Sequence, residues 1–169
     1  MPSEVDWLRG RLLAAQGEAR RLMARAQALT RHSVALKLTS DTSAPGVARN
    51  AVALLAGAAG ASTIEVDAVK TAVSEAVTNA VLHAYDGGDV GRVYVDAYVV
   101  GRVLTVLVAD DGRGPRVPSP NPGLGLGWKV IMQLSNKCAI TRRGGGGTLI
   151  YMRFRLGHGR LVDVPAARV

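Results

Sequence analysis

The sequence predicts a two-layer α/β sandwich with a helical extension at its N-terminus. Three observations carry that expectation. Two alanine- and valine-rich stretches, ending near residues 58 and 85, read as helices. Two pairs of apolar segments follow, each joined by a short glycine-bearing turn, and read as β-hairpins. Helices and hairpins in this order stack helices on one face of a sheet.

The elements follow in chain order. Leu8, Leu12, Ala15, Ala19, Leu22, Ala26 and Leu29 alternate spacings of four and three, a heptad seam on a helix over 5–31. Its alanine content suits close packing, either on the domain, on a partner, or on a second copy as a homodimer. Residues 33–41 (SVALKLTSD) alternate apolar and polar side chains and predict a strand. Ser43 and Pro45 open an alanine-rich helix to about Ala58, which Gly57 and Gly60 end. The next helix is predicted from Asp67 to about Tyr85, stopping at Asp86-Gly87-Gly88. Arg92–Val100 and Val103–Ala109 form a hairpin across Gly101-Arg102. Residues 110–127 hold much of the proline and several glycines and predict a loop, and Trp128–Leu134 a short helix. Ala139–Arg143 and Thr148–Leu156 make a last hairpin around the glycines 144–147. The expected organisation is an N-terminal helix over 1–32, a folded domain over 33–156 and a basic tail over 157–169.

Composition narrows the class. Nearly half the chain is hydrophobic, enough for a sizeable core. No segment reaches the roughly eighteen uncharged apolar residues of a membrane span, and the charged N-terminus lacks the features of a signal peptide. Cys138, the single cysteine, can form no internal disulfide and no thiolate metal site. A cytoplasmic protein without a membrane partner is expected. The net charge of +8 sits in the two ends: residues 1–37 carry seven Lys/Arg against three Asp/Glu, and residues 142–169 carry six against one. With aromatics at 4% there is no platform to stack bases, so nucleic acid ranks below a solubilising surface or an acidic protein partner.

Three constellations can carry chemistry. In SEAVTNAVLHAY (74–85), Glu75 and Asn79 are four residues apart and project from one helix face. A carboxylate there can act as a general base, and an amide oxygen suits Mg²⁺, although a solvated face looks the same. In VADDGRGP (108–115), Asp110 ends an apolar strand and is followed by Gly112 and Gly114. Such a carboxylate can accept a hydrogen bond from an exocyclic amine while the glycines let backbone approach a flat ring; an Asp-Gly turn is the plainer account. In GLGLGWKVIMQL (123–134), Gly123, Gly125 and Gly127, with Leu126 between the last two, run into a helix start whose N–H groups favour phosphate oxygens. Absence of Gly-Lys-Ser/Thr excludes a Walker loop, and the Rossmann spacing fits poorly.

Together and in this order, the three segments resemble the ATP-binding domains shared by gyrase, heat-shock chaperones, MutL and histidine kinases, the GHKL superfamily. The resemblance implies a Bergerat fold with a mixed, largely antiparallel sheet. It implies that Asn79 holds Mg²⁺, that Asp110 binds the adenine amine, and that Gly112, Gly114, Gly123, Gly125, Leu126 and Gly127 border the phosphate region. Gly147-Thr148 resembles the final box, where the threonine lies near adenine.

VKTAVSEAVTNAVLHAY is similar to the corresponding helix of bacterial anti-sigma factor serine/threonine kinases, a resemblance running from about Leu36 to Arg155. It implies ATP or ADP with Mg²⁺ as ligands, and a sigma factor and an anti-anti-sigma antagonist as partners. Glu75 would be the base that deprotonates a serine of the antagonist, and Arg49 matches an arginine of the partner interface. His83, one turn beyond Asn79, would face the phosphates or serve structure. Two departures stand out. The arginine that contacts the γ-phosphate in this branch is replaced by Gly123 or Leu124, and the intervening segment 115–124 is short and proline-rich. Lys129 or Arg113 is the available substitute charge. A partner-sequestering nucleotide-binding module without kinase activity is the competing expectation. His32 lacks the helical surroundings of a phospho-acceptor, which argues against a sensor histidine kinase.

Overall fold

The computed structural model describes residues 33–85, 90–115 and 126–157. The expected N-terminal helix, His32, the segment holding Gly123 and Gly125, and the tail after Gly157 lie outside them. Eight elements are described: β1 (Ser33–Thr39), α1 (Ala44–Ala58), α2 (Thr63–His83), β2 (Arg92–Val100), β3 (Val103–Asp110), α3 (Leu126–Leu134), β4 (Lys137–Arg142) and β5 (Thr148–Arg155). The strands form one sheet in the order β1-β2-β3-β5-β4. Every pairing in it is antiparallel. The two-layer α/β expectation holds.

Central position explains why β3 reads as an almost unbroken apolar run. Leu104, Val106 and Val108 belong to the core that also holds the helix side chains, while Thr105 and Leu107 are buried on the other face. The register sets Val95 and Ala97 of β2 and Ile150 and Met152 of β5 beside Val108 and Val106. The same alternation brings Asp110, two residues past Val108, onto the core-side face at the strand's end.

Small residues bring the helices close. Ala44, Ala48, Val52 and Ala56 of α1 and Val69, Ala72, Val73, Ala76, Val77 and Ala80 of α2 are buried in the shared core. Glu75, Asn79 and His83 form the neighbouring row on α2, each half-buried. That row is the part of α2 left for chemistry.

Several boundaries and caps differ from the sequence reading: α3 begins at Leu126, not Trp128, β4 runs Lys137–Arg142, not Ala139–Arg143, and the rest concern α1 and α2. The second helix begins at Thr63, not Asp67, because Ser62 and Glu65 make a capping box. The Ser62 hydroxyl accepts the Glu65 N–H at 3.3 Å, and the Glu65 carboxylate accepts the Ser62 N–H at 2.7 Å. Gly57 lies inside α1, and the chain turns instead at Gly60, with φ +82°. Ser43 precedes α1 without a side-chain cap bond; its hydroxyl and N–H donate to Asp41, which holds that carboxyl below its ordinary value. Among the described residues no helix is long and apolar enough to cross a membrane.

Removing the capping hydroxyl tests how far this box supports α2. Ser62→Ala is expected to lower unfolding stability by about 1 kcal/mol, read as a shifted urea midpoint at unchanged slope; an unmoved midpoint would assign α2's start to packing alone.

Candidate functional site

The site is built around the end of the central strand. Asp110 is 3% exposed. One carboxylate oxygen, Oδ1, accepts the N–H of Gly112 and the N–H of Thr148, each at 3.0 Å. The first bond closes an Asx-type turn directly after the strand. The second reaches 38 residues along the chain to the first residue of β5. A single carboxylate oxygen therefore ties β3, the turn after it and β5 together.

That convergence needs glycine at two places above all. Gly147 has φ +83°, and a side chain on it would collide with the Asp110 carbonyl and lie 3.0 Å from Oδ1. At Gly112 a side chain would strike the carbonyl of Ala84, just past the end of α2. That carbonyl accepts the N–H of Arg113 at 3.0 Å. Gly114, φ +88°, is also closed in: a Cβ there would stand 2.8 Å from Arg142 Nη1 and 3.1 Å from the Gly147 carbonyl. Thr148 meets Asp110 through its backbone N–H, a contact the sequence did not announce.

Further back along the C-terminal half of α2, the start of α3 meets the Glu75–Asn79 row. A Cβ on Gly127 would stand 2.7 Å from Glu75 Oε2 and 3.4 and 3.6 Å from Asn79 Nδ2 and Oδ1. The backbone at α3's first turn thus lies against the carboxylate and the amide with no side chain between them. Leu126 beside it is exposed. His83 lies one turn further along α2, towards the Asp110 turn. Lys129 and Arg113 are exposed, and Arg49 is an exposed position on α1.

The donor set suits a nucleotide with a hard cation. Asn79 offers an amide oxygen, Glu75 a carboxylate, and a backbone without side-chain bulk faces both. Asp110 offers an acceptor in a shielded position, flanked by glycines where a flat ring could lie.

Four residues that sequence reasoning missed complete the surroundings. The Tyr85 hydroxyl donates its one proton to the Asp111 carboxylate, with the Arg92 carbonyl 2.7 Å away as the alternative acceptor, and accepts the N–H of Arg92 at 2.9 Å and of Asp111 at 3.3 Å. The Asp111 carboxylate also accepts the Arg92 N–H at 3.0 Å. Burial, with the carboxylate of Asp111 beside it, pushes Tyr85 up to about 12. At Asp111 burial works upward, but hydrogen bonds from Tyr85 and Arg92 outweigh it and hold the carboxyl below its ordinary value. Arg142 Nη1 donates to the Arg113 carbonyl at 3.0 Å. Arg143 Nη1 donates to the Asp110 carbonyl at 3.3 Å, and its guanidinium sits 4.8 Å from the centre of the Tyr94 ring. The sequence held only one hint of this cluster, the doubled Asp110-Asp111.

Known proteins resemble this chain in sequence and in fold. Residues 38–154 match a family model described as the histidine kinase-like ATPase domain. A protein named anti-sigma F factor from Caldanaerobacter subterraneus is 29% identical over 136 residues, covering 74% of this chain and 94% of that protein. An anti-sigma F factor from Clostridium acetobutylicum is 33% identical over 129 residues, covering 70% of this chain and 90% of its own. Among solved structures, the RsbU and RsbW domains of Rv1364c from Mycobacterium tuberculosis superpose with a TM-score of 0.59 at 25% identity, over 75% of this chain. This chain spans 32% of that longer one.

Two outcomes follow from the geometry. Gly147→Ala combines an unfavourable φ with a collision at Asp110, and is expected to cost about 2–4 kcal/mol, seen as a large fall in melting temperature. Tyr85 holds its proton more tightly folded, at about 12, than unfolded, near 10. Its contribution is whole below pH 10 and is lost as pH rises through 12. Tyr85→Phe should therefore lose less stability than the parent between pH 10 and 12 in alkaline denaturation.

Proposed function

The chain belongs to the histidine kinase-like ATPase domain family, and on that premise we propose that it is a regulatory protein that binds ATP and Mg²⁺, holds a sigma factor, and phosphorylates a serine on an anti-anti-sigma antagonist. The observation that carries the reading is the approach of Gly127 to Glu75 and Asn79 in the C-terminal half of α2, with Asp110 held beyond the C-terminal end of the same helix. From Glu75 to Ala84 the helix rises roughly 13 Å at 1.5 Å per residue. That is the scale on which a nucleoside triphosphate separates its base from its terminal phosphate.

Each residue has a role in this reading. Asp110 accepts the adenine amine through its carboxylate, and Gly112, Gly114 and Thr148 line the base. Bound ATP–Mg²⁺ supplies the activated γ-phosphoryl group and a divalent charge that offsets the charge building on it. Asn79 offers its amide oxygen to the cation. Gly127 and Leu126 begin α3, whose first-turn N–H groups face phosphate oxygens; Gly123 and Gly125 precede them, and His83 borders the same row. Glu75 takes the proton from the attacking serine hydroxyl as its oxygen bonds to phosphorus and the bond to the leaving ADP oxygen breaks.

The names of the relatives support the partner assignment, since both proteins compared above are anti-sigma F factors. Arg49 is the proposed contact, and Val47 and Leu54 on the same helix are 46% and 76% exposed. A cytoplasmic setting and a homodimer through the N-terminal seam fit the same reading. A second reading, a sequestering module that binds nucleotide without transferring phosphate, is favoured by Gly123 or Leu124 standing where the branch has its γ-phosphate arginine.

Phosphoryl transfer decides between the two. With [γ-³²P]ATP, Mg²⁺ and a candidate antagonist, Glu75→Gln is expected to lower transfer at least about 100-fold while fluorescent-nucleotide binding stays near the parent's. If the parent binds ATP and labels no antagonist, the module reading stands and the kinase reading falls. Asp110→Asn puts an amide donor before the adenine amine and is expected to weaken ATP binding about 10-fold or more, by the same titration.

A further inference from the structure

The Tyr85 cluster lies behind Asp110. Asp111 connects Asp110 to Gly112, and so forms the back of the turn that the Asp110 carboxylate closes. Tyr85 meets this residue at two points, its carboxylate and its N–H. Both Tyr85 and Asp111 also take the N–H of Arg92, the residue preceding Val93, which is Asp110's partner in the ladder. The next residue along is held too, because the Arg113 N–H donates to the Ala84 carbonyl. Residues 84 and 85 thus clasp the turn from 111 to 113, and the side chain that closes the turn is Asp110's own.

We propose that Tyr85 is a positioning residue for base recognition: through Asp111 and Arg92 it holds the turn that aims the Asp110 carboxylate at the 6-amino group of an adenine nucleotide. The proposal rests on the reading of Asp110 as the base contact. The tyrosine ring has a separate, structural use, because it fills the space where a side chain on Gly91 would stand. The hydroxyl alone reaches Asp111. With a titration point near 12 that hydroxyl keeps its proton at neutral pH and remains a donor. Phenylalanine keeps the ring and removes the hydroxyl, so the two uses are separable.

Base selectivity separates positioning from mere stability. ITP carries a carbonyl where ATP carries the amine, so an Asp110 carboxylate held in place accepts ATP and repels ITP. Both nucleotides are to be titrated against fluorescent N-methylanthraniloyl-ADP on the full chain, parent and Tyr85→Phe. The parent is expected to prefer ATP strongly. In Tyr85→Phe, ATP should weaken by about three- to tenfold while ITP stays about where it was, narrowing the ratio. Asp111→Ala should narrow it similarly, and the double variant should add little to either single change, as for residues acting through one contact. An ATP-to-ITP ratio unchanged in Tyr85→Phe overturns the proposal, whether both affinities hold or both fall together. If the variant does not fold, Asp111→Ala carries the test on the same criterion. A parent that binds ATP and ITP alike overturns the proposal as well, and places the failure in the reading of Asp110.

Discussion

The bonds from Gly112 and Thr148 to one oxygen of Asp110 are the constraint on which the rest of the site depends. A carboxylate so removed from water is costly to bury unless its charge is met by donors, and here two backbone N–H groups meet it. Those donors come from opposite directions, one from the turn leaving β3 and one from the start of β5. Satisfying the carboxylate therefore also fixes where both segments begin. The glycines at 112 and 147 are a consequence, since any side chain there would occupy the space of the Ala84 or Asp110 carbonyl.

Helix α2 relates this corner to the other half of the site. Its alanine and valine face is consumed by the core, and the adjoining row carries Glu75, Asn79 and His83. Past its C-terminal end, Ala84 and Tyr85 hold the turn that follows Asp110, while Glu75 and Asn79 receive the start of α3. A rigid rod with polar groups at set intervals is a suitable frame for a ligand with two chemically different ends. Loops alone would not keep such a distance constant.

Arginines stand where the sheet edge meets the site. Arg142 and Arg143 are consecutive, yet one donates to the Arg113 carbonyl and the other to the Asp110 carbonyl beside the Tyr94 ring. One bond anchors a carbonyl in the turn after β3 and the other the carbonyl of β3's last residue. Part of the basic excess at the C-terminal end is thus engaged in holding this segment, where composition alone suggested a solubilising surface.

Much of this was legible in the chain itself. Apolar periodicity identified the helices and both hairpins, because burial on one face imposes a repeat of 3.6 or 2 residues whatever the partner is. Asp110, Gly112, Gly127 and the Glu75–Asn79 row were singled out from residue chemistry at helix and strand ends. The start of α2 was misplaced although Ser62 and Glu65 were in view, since local capping lengthened the helix beyond its apolar pattern. Tertiary structure alone decided the strand order, which makes β3 central, and the pairing of Asp110 with Thr148 across 38 residues. It alone brought Tyr85 to Asp111 and Gly127 to Glu75. Such contacts leave no periodic trace, because they depend on where separate elements come to rest, and that is settled only when the core packs.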